Sequence, residues 1–561
     1  MVTHHASQDS LQAVTADEPR ISKNEALEQP TAEENEHSTI NKGGAPVMRS
    51  KEDDLSIWQT VRRYKLVSIM AMAAAFSAAL DGYQINLNGG LVSNNGFIRQ
   101  MAKPGTTVIE GQYVSAWSGL QSSGQAVGQV LLQYVTESYG RKVAFYIIWV
   151  IFVVSIFIES FATRWDHWLV AKLFSGMGVG MLQSTLPVYL SEIAPTQLRG
   201  FFINAYSFWF VVGQIFASVA LNQLHAIDPL DFRTPIYTQW AMVGATIIIF
   251  IIMPETPWWL VRHITAALRV TMCPNKLSVK CHPLWALFTN NQSELQEIMS
   301  ATVVEERRIA ERDSQEGMWA VFQGRNFIRF VIAGWPKMTQ QFVGLAVFNS
   351  NATYFFQYAG NKDPFLVTVI LSCVQLLSMI MTAMLTDQIG RRPLTIYPYA
   401  VTTVSVLCLG IIGCFDYTQK STSSLLVFFA CLATFSTTGA SSIGYAYAAE
   451  IPQQRLRAQT AGLSLAASNL IALMFSFCTP LMINGPLTKW GVKTGFFFAG
   501  TGTVAVIIAW FILPEVTRRT PAEIDEMFEK KVNLRKFKHY VTDVQTNASE
   551  QHEMEAHTRT A

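Results

Sequence analysis

From about residue 60 onward, apolar residues gather into long runs separated by short charged stretches. Runs of about 20 residues match a helix that crosses a bilayer. Twelve can be marked, at about 66–87, 113–135, 143–162, 168–190, 201–222, 238–253, 328–350, 365–386, 393–413, 424–447, 459–483 and 495–513. Backbone polar groups in lipid must be satisfied within their own segment, so each run predicts an α-helix. Several runs also carry a polar face. In the first, Ser77, Asp81, Gln84 and Asn88 fall at i, i+4, i+7 and i+11, one side of a helix. The second offers Ser118, Ser122, Gln125 and Gln129; the fourth Lys172, Ser175 and Gln183; the fifth Asn204, Ser207, Gln214 and Ser218. The seventh gives Lys337, Gln340, Gln341, Gly344, Asn349 and Asn351. Amide and ionisable groups are costly in hydrocarbon, so these faces predict a shared, water-accessible cavity. A single serine is equally well read as packing between helices. Asp81 and Lys172 need more: either functional use, with Asp81 the better proton site, or a structural ion pair with each other.

The chain is also written twice. Glu137-Ser-Tyr-Gly-Arg-Lys is answered by Asp387-Gln-Ile-Gly-Arg-Arg, Pro187–Gly200 by Ala446–Ala458, and Pro254-Glu-Thr by Pro514-Glu-Val. The offsets are 250 (387−137), 258 (450−192) and 260 (514−254). Ordered matches at nearly one spacing indicate an internal duplication. The expected organisation is a disordered polar tail (1–60), a six-helix half (61–261), a loop with surface helices (262–327), a second six-helix half (328–515) and a C-terminal tail (516–561). Pro521-Ala-Glu-Ile suggests a helix start in that tail.

Charge sets an orientation. Arg141, Lys142, Arg199, Arg391, Arg392, Arg455, Arg457, Arg518 and Arg519 cluster at run ends on one side, which the positive-inside rule makes cytoplasmic together with both termini. Acids accompany them. Glu137, Arg141, Glu192 and Arg199 in one half, with Asp387, Arg391, Glu450 and Arg457 in the other, are expected to clamp the cytoplasmic ends of the halves and release as a gate.

Composition narrows the classes further. The chain of 561 residues is 50% hydrophobic and 15% charged, with net charge +2, unlike a soluble chain of this length. No basic patch is interleaved with aromatics, so nucleic acid is not an expected partner; membrane lipid and a small solute are. The seven cysteines lack metal-ligand spacing, and no nucleophile–base constellation, phosphate loop or cofactor motif appears. An enzyme is not expected, nor any cofactor.

Taken in order, the motifs resemble the sugar porter family of the major facilitator superfamily over about residues 65–530. They are Gly82-Tyr83, Gly140-Arg141-Lys142, Lys172 before Gly176-x-Gly-x-Gly, Glu192 to Gly200, Pro254-Glu-Thr-Pro-Trp-Trp-Leu, Gln340-Gln341-x-x-Gly344, Asp387-x-x-Gly-Arg-Arg, Glu450 to Arg457, and Pro514-Glu-x-x-x-Arg-Thr-Pro. Residues 352–360 are similar in texture to fungal α-glucoside (maltose-type) permeases. The resemblance implies an all-α membrane protein with twelve transmembrane helices in two pseudo-symmetric halves, and a midplane site between them. It implies substrate contacts at Gln214, Gln340, Gln341, Tyr445 and Asn469 and proton coupling at Asp81, with Ser207 standing where the family often has another glutamine; the polar faces add Asn349 as a substrate position and Lys172 beside Asp81 in coupling. Departures are Ala346 for a family Asn, Gln84 for an acid, Lys172 for an Arg, and Tyr445 for a Trp. The readings left open are plasma-membrane transport of an α-glucoside or hexose with or without proton symport, transport of a polar secondary metabolite, and a transport-inactive nutrient sensor.

Overall fold

The computed structural model describes residues 61–256 and 321–542, apart from 63, 103–107, 194–197, 345, 346, 348–350, 362, 416–419, 454–456, 487, 488, 518 and 520. All of the expected N-terminal tail (1–60), most of the 262–327 loop, and Asn349 therefore lie outside the described residues. The described chain is helical, and its long helices stand where the apolar runs predict them. The first half comprises α1 (Lys65–Phe76), α2 (Ala78–Leu91), the short α3 (Asn95–Met101), α4 (Gly111–Tyr139), α5 (Arg141–Phe161), α6 (Trp165–Ile193), α7 (Arg199–Ile227) and α8 (Arg233–Ile252). The second comprises α9 (Gly324–Phe342), α10 (Ala352–Tyr358), α11 (Pro364–Ile389), α12 (Arg391–Ile412), α13 (Lys420–Glu450), α14 (Arg457–Asn484) and α15 (Thr494–Ile512).

Two of the twelve segments are interrupted. The first breaks at Ser77, whose N–H bonds back to Ala74 in a tight turn between α1 and α2. The seventh breaks after Phe342, where Gly344 takes φ +93°, a backbone region that favours glycine. Among the described residues, nine helices are long and apolar enough on their own to cross a membrane. The other three segments, α4, α6 and α9, are those whose polar residues lower their hydropathy, and all three face the centre of the bundle.

Packing repeats between the halves. In the first, α4 lies on α6, α2 on α7, and α5 on both α6 and α8. In the second, α11 lies on α13, α9 on α14, and α12 on both α13 and α15. The halves meet through α4 with α14, α7 with α11, and α2 with α10. Outward faces are apolar and exposed, as at Ile248, Ile251 and Ile252 on α8 and Val504, Ile507 and Phe511 on α15. Such a belt is a lipid-facing surface.

Small residues let the α4–α6 pair close. A Cβ on Gly176 or Gly180 would stand 2.0 or 2.2 Å from the Gln121 or Gln125 carbonyl oxygen, and one on Gly124 or Gly128 would stand 2.5 Å from a carbonyl of α6. Backbones in membranes approach this closely only through such residues.

The loop motifs build the same joints twice. Glu255 accepts from the backbone N–H groups of Arg141 (2.8 Å) and Lys142 (2.9 Å), and Glu515 from those of Arg391 (3.1 Å) and Arg392 (3.0 Å). A carboxylate there satisfies orphan donors and complements the helix dipole. Tyr189 donates to the Pro254 carbonyl and Tyr447 to that of Pro514, each at 2.9 Å. In the tail, α16 (Pro521–Glu529) docks on the start of α9. There Arg329 bonds Asp525 and lies 4.4 Å from the Phe528 ring centroid, with Ile524, Met527 and Phe537 buried beside it.

Candidate functional site: the central cavity

A cavity of about 290 Å³ lies between the halves, close to the lower end of the range for small-molecule sites. The first half contributes Gln121, Gln125 and Gln129 from α4, Lys172 and Gln183 from α6, and Tyr206, Ser207 and Gln214 from α7. The second contributes Lys337, Gln340 and Gln341 from α9, Asn351, Gln375 from α11, Ser441 and Tyr445 from α13, and Asn469 from α14. Much of the expected polar faces thus converges, whereas Ser77, Asp81, Gln84, Ser175 and Ser218 are buried off the lining and Asn204 is exposed. Of the seven substrate positions drawn from the sequence, Gln214, Ser207, Gln340, Gln341, Tyr445 and Asn469 all line this cavity; Asn349 lies outside the described residues.

Their hydrogen bonding differs. Ser441 donates to the Gln340 carbonyl oxygen at 2.7 Å, which fixes that amide. Asn469 donates to Gln129 at 2.8 Å and so ties α14 to α4 across the halves. Its amide nitrogen is therefore engaged by protein in this arrangement. Four buried atoms of lining residues have no partner among the described residues: Asn88 Oδ1, Trp168 Nε1, Asn351 Nδ2 and Gln375 Oε1. A buried polar atom left unsatisfied costs about 1–3 kcal/mol, and a hydroxylated solute or water in the cavity can relieve it.

The buried charges are arranged differently from the ion pair considered above. Asp81 is fully buried just behind the wall, where it accepts from Tyr206 Oη at 3.0 Å and Gln183 Nε2 at 3.5 Å. Lys172 does not pair with it. Its ammonium lies 3.4 Å from Glu159 on α5 and 4.2 Å from the Trp168 ring centroid. Glu159 also accepts from Gln239 at 2.9 Å and Gln84 at 3.3 Å. The pair thus sits in a network spanning α2, α5, α6 and α8, which meets the condition for tolerating a buried pair.

Sequence reasoning passed over Glu159 and Gln375. Glu159 stands near the end of an apolar run, where an acid reads as a loop residue. Gln375 belongs to a stripe, Thr368, Ser372, Gln375, Ser378 and Thr382, whose helical spacing could have flagged it.

The charged loop residues form pairs inside each half. Arg141 bonds Glu192 at 2.8 Å, joining α5 to α6, and Arg391 bonds Glu450 at 2.6 Å, joining α12 to α13. The expected clamp between the halves is therefore not what these two pairs make. The side chains of Glu137, Arg199, Asp387 and Arg457 lie outside the described residues.

A family described as sugar (and other) transporter matches residues 70–528. The general alpha-glucoside permease of Saccharomyces cerevisiae is 29% identical over 524 residues, covering 90% of this chain and 82% of that protein. Hexose transporter 2 of Kluyveromyces lactis is 24% identical over 506 residues, covering 86% of each. Among solved structures, a partially occluded inward open conformation of the xylose transporter XylE from E. coli matches with a TM-score of 0.62 at 18% identity, over 81% of this chain and 100% of that one. The duplicated bundle, its central cavity and these matches agree: this is a multi-pass membrane protein of the major facilitator fold, and it belongs to the sugar (and other) transporter family.

Proposed function

We propose that the protein carries a sugar or sugar-like solute, an α-glucoside or hexose in the first instance, inward across the plasma membrane by alternating access. The observation that carries this reading is the cavity itself, walled by both halves and lined with amides and hydroxyls suited to a polyol. In this reading Gln214, Ser207, Gln340, Gln341 and Tyr445 hold the solute. Asn469 exchanges its bond to Gln129 for one to substrate, or for none, as the halves separate. A site built from such groups discriminates strongly by the hydroxyls a solute presents. Both termini and the arginine clusters face the cytoplasm, in keeping with their position at segment ends. Asp81 supplies the proton site, because it is a buried carboxylate held only by neutral donors beside the cavity.

The test is uptake of radiolabelled glucose and maltose by transporter-deficient yeast expressing the full chain, with and without a protonophore. Accumulation above the empty-vector strain that collapses with the protonophore is the expected result. No uptake of glucose, maltose or a sugar acid, from a chain shown to be at the plasma membrane, would overturn it.

A further inference from the structure

Every charged side chain on the cavity wall is basic. Among the described lining residues there are two lysines, Lys172 and Lys337, and no aspartate or glutamate. The two are not equivalent. Lys172 is balanced by Glu159 behind the wall. Lys337, on α9 of the other half, is buried and has no carboxylate within ion-pair distance among the described residues. Its ammonium meets only neutral groups: Ser441 Oγ at 3.0 Å, Gln340 Oε1 at 3.4 Å and the face of the Tyr445 ring, 3.5 Å from its centroid. Those neighbours orient the ammonium, while no described carboxylate pairs with it. An unpaired cation inside a membrane protein is expensive, and it is worth keeping where an anion comes to meet it. The space it lines is the cavity.

We infer that the preferred solute is anionic: a small polyhydroxylated carboxylate, such as a sugar acid, whose carboxylate docks on Lys337 and whose hydroxyls meet the surrounding amides. This rests on the transport reading above and sharpens its substrate class. Three features support it together. The wall is positive. The amides beside Lys337, Gln340 and Gln341, suit a hydroxylated body. The unsatisfied Asn351 Nδ2 on the same half is a further donor available to an oxyanion. Asp81 does not contradict the inference, because it lies behind Tyr206 and Gln183 and not on the wall.

The experiment uses the full chain purified in detergent and reconstituted into liposomes. Uptake of radiolabelled D-gluconate and D-galacturonate is measured beside D-glucose and maltose, together with competition among them and the rise in melting temperature each produces. The inference expects the acids to be transported at least tenfold more efficiently than the neutral sugars and to raise the melting temperature more. Lys337→Gln should lose at least tenfold of gluconate uptake and reverse the preference toward neutral sugars, while Lys337→Arg should keep the anion preference. If neutral sugars are carried and the acids neither compete nor stabilise, the inference fails and the transport reading stands. If no solute of either kind is bound or moved, both fail. Should the Lys337→Gln chain not fold, the wild-type ratio of acid to neutral stabilisation decides alone.

Discussion

The two halves share a scaffold and differ in what they bury. Each begins a segment with a glycine at positive φ, Gly140 at +93° and Gly390 at +100°. Each caps the following helix with a glutamate from a Pro-Glu motif, and each braces the next helix with an Arg–Glu pair at nearly the same distance. Behind the cavity the symmetry ends. Among the described residues, the first half buries two acids and one base near the cavity, Asp81, Glu159 and Lys172, each hydrogen-bonded; the second contributes Lys337 to the wall with no acid within ion-pair distance. The lesson is that joints at the segment ends serve both halves alike, whereas charges near the solute need not. Duplication preserved the machinery of motion while the site was free to become lopsided.

That contrast can be attacked where it is widest. Glu159→Ala leaves Lys172 buried without its partner, an error that costs about 3–5 kcal/mol. Purified protein should then unfold at markedly lower temperature, and the double variant Glu159→Ala, Lys172→Met should recover part of the loss. An unchanged melting temperature would mean the first half does not depend on its buried pair. Next come the braces. Arg141→Gln and Arg391→Gln each remove a charged hydrogen bond, worth about 1.5–3 kcal/mol. Equal losses in the two variants are expected, and a clear inequality would break the claim of equivalent scaffolds.

A smaller effect sharpens the asymmetry itself. Asp81→Asn keeps a buried side chain of the same size but cannot take up charge. Uptake at acidic pH should fall about tenfold, or about 1.4 kcal/mol, and lose its dependence on the proton gradient. Uptake that stays equally pH-dependent would remove Asp81 from the coupling role. The smallest change is expected from Glu255→Gln and Glu515→Gln, which retain an acceptor but weaken a helix-dipole contact worth about 0.3–1 kcal/mol. Matching small drops in melting temperature would again support joints that are interchangeable between halves.

Much of this was legible in the linear chain, for physical reasons. Bilayer thickness forces runs of a set length, so the twelve segments could be placed before any coordinates. The polar spacing on the second, fourth, fifth and seventh runs brought Gln125, Lys172, Gln214 and Gln340 to one cavity, because helical periodicity survives folding. Pairing across helices is another matter. Nothing along the chain says that Lys172 turns to Glu159 and not to Asp81, since that depends on helix rotation, which tertiary contacts decide. The turn at Ser77 was equally hidden: the run of alanines before it reads as one continuous helix. The Asn469–Gln129 bond joins positions 340 apart in sequence, beyond the reach of any local pattern.

The glycine seam between α4 and α6 has a mechanical corollary. Two helices whose carbonyl oxygens already sit where a methyl group would go cannot slide past one another by a residue without collision. They travel as one slab, carrying Gln121, Gln125 and Lys172 in fixed register. Rocking that exposes the chamber first to one face and then to the other is then expected between the halves, at α4 against α14 and α7 against α11, so that the solute is handed across by slabs parting rather than by rods shearing.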